Sequence, residues 1–153
     1  MHELFQLIRT GNTSAVRDLL KSNPTAVDQA DDKGFTPLVM ATYTGAVELV
    51  EVLCDAGASL NQQDRLGNTA LMGVCFKGHE KIAKLLIAKG ANVDIQNGQG
   101  MTALHFAANY GQSSMVKLLI DQGADQGLKD QQGQSPLDSA RAKGHQQIIE
   151  LLA

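Results

Sequence analysis

The sequence predicts an all-α repeat array, and three observations carry that prediction. The first is a 33-residue beat: Gly34, Gly67, Gly100 and Gly133 keep it, as do Thr36, Thr69, Thr102 and Ser135. Leu38, Leu71, Leu104 and Leu137 follow the same period, with Gly45, Gly78, Gly111 and Gly144 seven residues behind them. Leu53, Leu86, Leu119 and Leu152 repeat likewise, and so do Gly57, Gly90 and Gly123. Chance does not hold six registers in phase, and a fixed period of this length marks a solenoid of identical units. The second observation is a start signal. Thr36-Pro37 and Ser135-Pro136 place a hydroxyl cap before a proline suited to the first helical position. The third is composition: 43% apolar residues but only 4% aromatics and no Trp, so the core is built from Leu, Ile, Val and Ala.

The elements follow in order within each copy. Polar triplets such as Asp31-Asp32-Lys33 lead into Gly34, and a tight tip there needs a residue that tolerates positive φ. Asp31, Asp64 and Asp130 share a register and are expected to fix the turn through side chain-to-backbone bonds. A short helix then starts at the Thr or Ser cap and ends near the Gly45 register. Its small residues, Ala41, Ala107, Ala108 and Ala140, allow close helix approach. A second helix carries Leu49, Val50, Val52 and Leu53 in one copy and Ile82, Leu85 and Leu86 in the next, at helical spacing. It ends before Gly57, Gly90 or Gly123, where a left-handed cap is expected. Residues 1–30 fit as a diverged first copy: Leu4, Leu7 and Ile8 on one helix, Val16, Leu19 and Leu20 on the other. One extra residue around Ser22–Thr25 restores the phase, and Asn23 is expected to stand in for the capping glycine in the left-handed region.

Residues 64–71 (Asp-Arg-Leu-Gly-Asn-Thr-Ala-Leu), 85–93 (Leu-Leu-Ile-Ala-Lys-Gly-Ala-Asn-Val) and 100–108 (Gly-Met-Thr-Ala-Leu-His-Phe-Ala-Ala) resemble the ankyrin repeat. The resemblance spans nearly the whole chain. It implies an all-α ankyrin-repeat solenoid: antiparallel helix pairs joined by outward-pointing β-hairpin-like loops and stacked into a curved array. Residues 1–153 are then one domain, with full repeats at 31–63, 64–96 and 97–129 and capping repeats at 1–30 and 130–153. One first-helix position reads Ile8, Thr42, Cys75, Ala108 and then Arg141, which turns charged in the last copy, as a polar outer face requires.

Little in the chain speaks for chemistry. His79 and His145 sit at helix starts, and His105 matches a position that the resemblance ties to neighbouring loop backbone. Val39 and Met72 replace that histidine in two copies, which is expected to loosen the loop network. Cys75 falls on the small inward register and is expected to be buried and inert, while Cys54 lies on an apolar helix stripe. No two carboxylate registers converge, and Gly98-Gln-Gly100 lacks the lysine-hydroxyl pair of a phosphate loop. No enzyme activity, cofactor or metal site is expected. Net charge −3 gives no electrostatic reason for nucleic-acid binding, and no apolar run is long enough for a membrane span. Two unpaired thiols and a start without a signal-peptide profile point to a monomer in the cytoplasm.

The registers that vary carry the functional expectation. By resemblance, partners are met by the hairpin tips and the exposed side of the first helices. The residues expected there are Lys33, Phe35 and Tyr43 in the first full copy, Arg65, Leu66, Phe76 and Lys77 in the second, and Met101, Asn109 and Tyr110 in the third. Four of six aromatic residues fall in these registers. Clustered rings on an open face signal a contact surface, and aromatic and Arg anchors dominate binding energy. They are expected to contribute nothing to the stability of the lone chain. Lys33, Arg65, Lys77, Lys129 and Lys143 on this side point to an acidic partner, although Asp31, Asp64 and Asp130 lie close by. On the opposite side, Lys81, Lys84, Lys117 and Glu51 read as a solvated surface. The expected function is therefore a protein–protein interaction module. The alternative is a regulatory or chaperone-like subunit that stabilises or inhibits a specific enzyme through the same face.

Overall fold

A computed structural model describes residues 2–153. Ten α-helices run through them: α1 (His2–Arg9), α2 (Thr13–Ser22), α3 (Pro37–Thr44), α4 (Val47–Asp55), α5 (Ala70–Lys77), α6 (Glu80–Ala88), α7 (Ala103–Asn109), α8 (Ser113–Asp121), α9 (Pro136–Lys143) and α10 (Gln146–Leu152). Each odd helix packs on the next odd helix, each even helix on the next even one, and each pair on itself. The result is two layers of short helices around one continuous core. The odd layer and the hairpins form the inner side, the even layer the outer side.

The predicted caps hold each inner helix. Thr36, Thr69, Thr102 and Ser135 accept from the backbone N–H three residues on, at 3.2, 3.3, 3.4 and 3.3 Å. Leu38, Leu71 and Leu104 of the inner layer and Leu49, Leu53, Leu86 and Leu119 of the outer layer are fully buried. The inward register behaves as expected: Ile8, Thr42, Cys75 and Ala108 are buried, and Arg141 is exposed.

Asn23 departs from expectation. Its φ is −139°, and no residue other than glycine has positive φ among the described residues. Pro24 starts a 3-10 segment, Pro24–Asp28, where the extra residue was expected to restore the phase, and no left-handed cap forms at Asn23. The proline fixes φ for that turn, so Asn23 stays extended and its N–H closes α2 on the Leu19 carbonyl at 2.8 Å.

The four hairpins share one geometry. In each, the first residue's N–H donates to the carbonyl four residues on: Asp31 to Phe35, Asp64 to Asn68, Asn97 to Met101 and Asp130 to Gln134, all at 2.9 Å. One carboxylate oxygen of Asp31, Asp64 or Asp130 accepts two backbone N–H groups inside the loop. Asn97 does the same through its amide oxygen. At Gly67 the loops nearly touch: a Cβ there would lie 2.7 Å from the Gly98 nitrogen, at φ +81°.

The expected loosening of the loop network occurs at one place and not at the other. Between the second and third hairpins, Gly98 N–H donates to the Leu66 carbonyl (2.9 Å), the Gln63 amide to the Gln96 carbonyl (3.2 Å) and the Asn97 amide to Asn68 (2.8 Å). The third and fourth are tied by Gln131 N–H to the Gln99 carbonyl (2.9 Å), by the Gln96 amide to the Lys129 carbonyl (3.1 Å) and by a His105 Nε2 contact with the Gln134 carbonyl (3.0 Å). Met72 therefore costs its copy little, and its sulfur even accepts from Thr69 N–H at 3.4 Å. The first hairpin has none of these ties among the described residues. Ala30 stands in the register of Gln63 and Gln96, and Val39 in that of His105.

A second ladder runs along the outer loops. Asp28 accepts from Ser59 N–H and hydroxyl (2.8 and 2.6 Å), Asn61 from Asn92 N–H (2.8 Å) and Asp94 from Asp125 N–H (2.8 Å). The 33-residue recurrence of Asp28, Asn61 and Asp94 was its legible signal.

Candidate interaction face

The inner helices end on the face where the variable residues gather. In the last turn of α5, Phe76 meets Tyr110, which follows α7, edge-on: the ring centroids are 4.6 Å apart and the planes cross at 88°. Phe106 lies one helical turn before Tyr110 and stacks parallel to it, at 6.4 Å and 10°. Three rings from two repeats thus make one shelf. Phe76 and Tyr110 still expose 41% and 48% of their surface. The Lys77 ammonium sits 5.9 Å from the Phe76 centroid, within cation–π range.

Tyr43 occupies the neighbouring repeat. Its phenol carbon and oxygen lie 3.6 Å from where a Cβ on Gly73 would be, so the ring rests over a gap in α5. The register that holds Gly73 carries Met40, Phe106 and Ser139 in the other copies. Partial burial, and then the charge of Asp64, push the Tyr43 hydroxyl above its ordinary pKa. Phe35 supports Tyr43 edge-on at 6.2 Å and is itself half-buried.

The remaining expected residues divide by position. Lys33, Arg65, Leu66 and Lys77 are exposed, Leu66 by 71% at the second hairpin tip. Met101 and Asn109 are half-buried; the Asn109 carbonyl contacts His145 Nε2 at 3.1 Å. The structure brings Tyr43, Phe76, Lys77, Asn109 and Tyr110 to the ends of the inner helices and leaves Lys33, Arg65, Leu66 and Met101 on the hairpins. Phe106 was missed because its register is small or flexible elsewhere; its place four residues before Tyr110 was the available signal.

One expectation about the rings needs correction. They do not stand idle in the lone chain: edge-on and stacked pairs contribute about 0.5–1.5 kcal/mol each beyond area burial.

The groups that could do chemistry are tied down elsewhere. Burial pushes the Cys75 thiol far up, and half-burial raises Cys54. His105 is fully buried, with Nδ1 on Thr102 and Nε2 on the next hairpin. No cluster of three or more His, Cys, Asp or Glu able to hold a metal occurs among the described residues. No helix among them is long and apolar enough to cross a membrane.

Comparison with known proteins gives this architecture its kinship. Scaffold protein ILK of Homo sapiens is 39% identical over 61 residues, 40% of this chain and 14% of that protein. Ankyrin repeat and SAM domain-containing protein 6 of Rattus norvegicus is 32% identical over 59 residues, 39% of this chain and 7% of that protein. E3 ubiquitin-protein ligase Ufd4 of Drosophila melanogaster is 37% identical over 59 residues, 39% of this chain and 2% of that protein. The chain thus aligns with a small part of each of these relatives. The family description "Ankyrin repeats (3 copies)" matches residues 4–97 and again 71–153. With helix pairs, hairpins and period all in agreement, the chain belongs to the ankyrin repeat family.

Proposed function

We propose that this chain is a non-enzymatic interaction module that holds a partner protein with an acidic surface against its inner face and hairpin tips. The observation that carries the reading is the ring shelf of Phe76 and Tyr110, still about half open to solvent beside Lys77. Open rings next to a cation supply the anchors that dominate protein–protein binding energy. Fixed helices lower the ordering cost of association. The printed name of one relative, a scaffold protein, supports the same reading. The free thiols Cys54 and Cys75 support a reducing, cytoplasmic setting, and a monomer is part of the same proposal.

The test is a photo-cross-linking amino acid placed at Phe76 in one protein and at outer-side Lys84 in another. The partner is trapped from native lysate and identified by mass spectrometry. A product from position 76 but not 84, weakened by added salt and lost when Tyr110→Ala is added to the position-76 protein, supports the proposal. Equal trapping at both positions, or capture indifferent to Tyr110→Ala, rejects the inner face.

A further inference from the structure

One inner row alternates in chemistry. Thr44, Lys77, Tyr110 and Lys143 share a register, 33 residues apart, and stand at the ends of four of the five inner helices, α3, α5, α7 and α9. Those helices pack directly on one another. Successive members of the row therefore stand about one helix-packing distance apart, ~10 Å. An extended chain in the polyproline II conformation has about three residues per turn and rises about 3.1 Å per residue, so side chains three apart share a face and cover one step. A helix rises 1.5 Å per residue and would need about seven.

The cations of this row pair with no carboxylate. The three ion pairs among the described residues are Arg17–Glu48, Lys84–Glu80 and Lys89–Asp55. All involve the outer helices or their ends. Lys77 and Lys143 join none of them. The acids Asp64, Asp130 and Asp138 turn an oxygen to their own loop N–H groups or to Ser135 rather than to these lysines. Position in the last turn of α5 and α9 suits a lysine through the helix dipole. The dipole does not require a ring midway between the two.

Resting on the interaction-face reading above, we infer that the row recognises an extended acidic segment of a partner protein in which acid, aromatic and acid follow at three-residue spacing. The acids face Lys77 and Lys143, and the ring lies on the shelf of Phe76, Phe106 and Tyr110. Seven residues of polyproline II chain span the two steps from Lys77 to Lys143, about 19 Å, with all three side chains on one face. Apolar exposure on this side is limited to the shelf, Tyr43 and the hairpin-tip Leu66 rather than forming a long channel, which favours an extended segment over an amphipathic helix. The net charge of −3 disfavours a long polyanion such as nucleic acid.

Fluorescence anisotropy with the full chain tests this, using labelled peptides on a Gly-Ser background. One carries Glu-x-x-Phe-x-x-Glu; two isomers of equal composition place the same residues at two-residue and at seven-residue spacing; a short single-stranded DNA is the fourth probe. The expected result is about tenfold tighter binding of the three-residue frame than of any other probe. Lys77→Glu/Lys143→Glu should lose that preference and favour Lys-x-x-Phe-x-x-Lys, with an unchanged unfolding midpoint showing that the variant folds. Equal binding of all peptide isomers overturns the spacing; if Phe76→Ala/Tyr110→Ala still abolishes it, the interaction face survives alone. Tightest binding of the seven-residue isomer overturns the extended conformation, and tightest binding of DNA overturns the choice of a protein partner. No binding by any peptide overturns the motif, leaving the cross-linking experiment to judge the face.

Discussion

Tyr110 has two neighbours of different kinds, one ring meeting it edge-on from the previous repeat and one lying parallel from its own helix. The edge-on contact bridges two repeats, so it has a measurable stability of its own. A double-mutant cycle of Phe76→Ala and Tyr110→Ala, read by urea unfolding, is expected to give a coupling of about 0.5–1.5 kcal/mol. Leu71→Ala, in the sealed core, is expected to cost about 2–5 kcal/mol. A coupling near zero would mean that the rings only graze. Much of this was legible beforehand. The period set the registers of Phe76 and Tyr110, and the family resemblance said which side those registers face. That they would touch did not follow, since ring orientation is settled by side-chain torsions and not by spacing. Gly73 was overlooked for a related reason: a missing side chain leaves no sequence signal of what fills its room, and here the filler is Tyr43 from the repeat before.

Among the elements, α9 shares the reciprocal cap of α5 and α7 but makes it with a carboxylate. Ser135 and Asp138 cap each other reciprocally, and the Asp138 carboxylate accepts from both the N–H and the hydroxyl of Ser135. The Ser135 backbone N–H first, and its hydroxyl second, hold that carboxyl below the ordinary Asp range. A folded-state pKa below the unfolded one adds stability that is complete above the unfolded value, near 3.9, and vanishes as pH falls through the folded value. Asp138→Asn should therefore lower the melting temperature at neutral pH and narrow the gap to the wild type below about pH 4. Parallel melting curves across that range would deny the carboxylate this role. The serine and proline that announced α9 were plain in the sequence, as was every hydroxyl cap. The end of α2 was not, because Asn23 could adopt a left-handed shape in isolation and Pro24 decided otherwise by opening a 3-10 turn.

At the scale of the molecule, the two loop ladders are unequal. The outer one begins at Asp28 with Ser59, while the hairpin one begins only at the second hairpin. Ala30 is the shortfall: a glutamine there would reproduce the amide that Gln63 and Gln96 extend toward the following hairpin. Native-state hydrogen exchange is expected to be faster in residues 31–35 than in 64–68 or 97–101, and Ala30→Gln is expected to slow it several-fold. Equal protection of all three loops in the wild type would contradict this. The period predicted the stack as a whole but not this asymmetry, which depends on two single departures, Ala30 and Val39, from otherwise repeating side chains. A stack clasped along its back and unclasped at one place in front is expected to yield there first, like a book at its loosest page. Separation of the first two hairpins would break no loop bond of the kind that ties the third to the fourth.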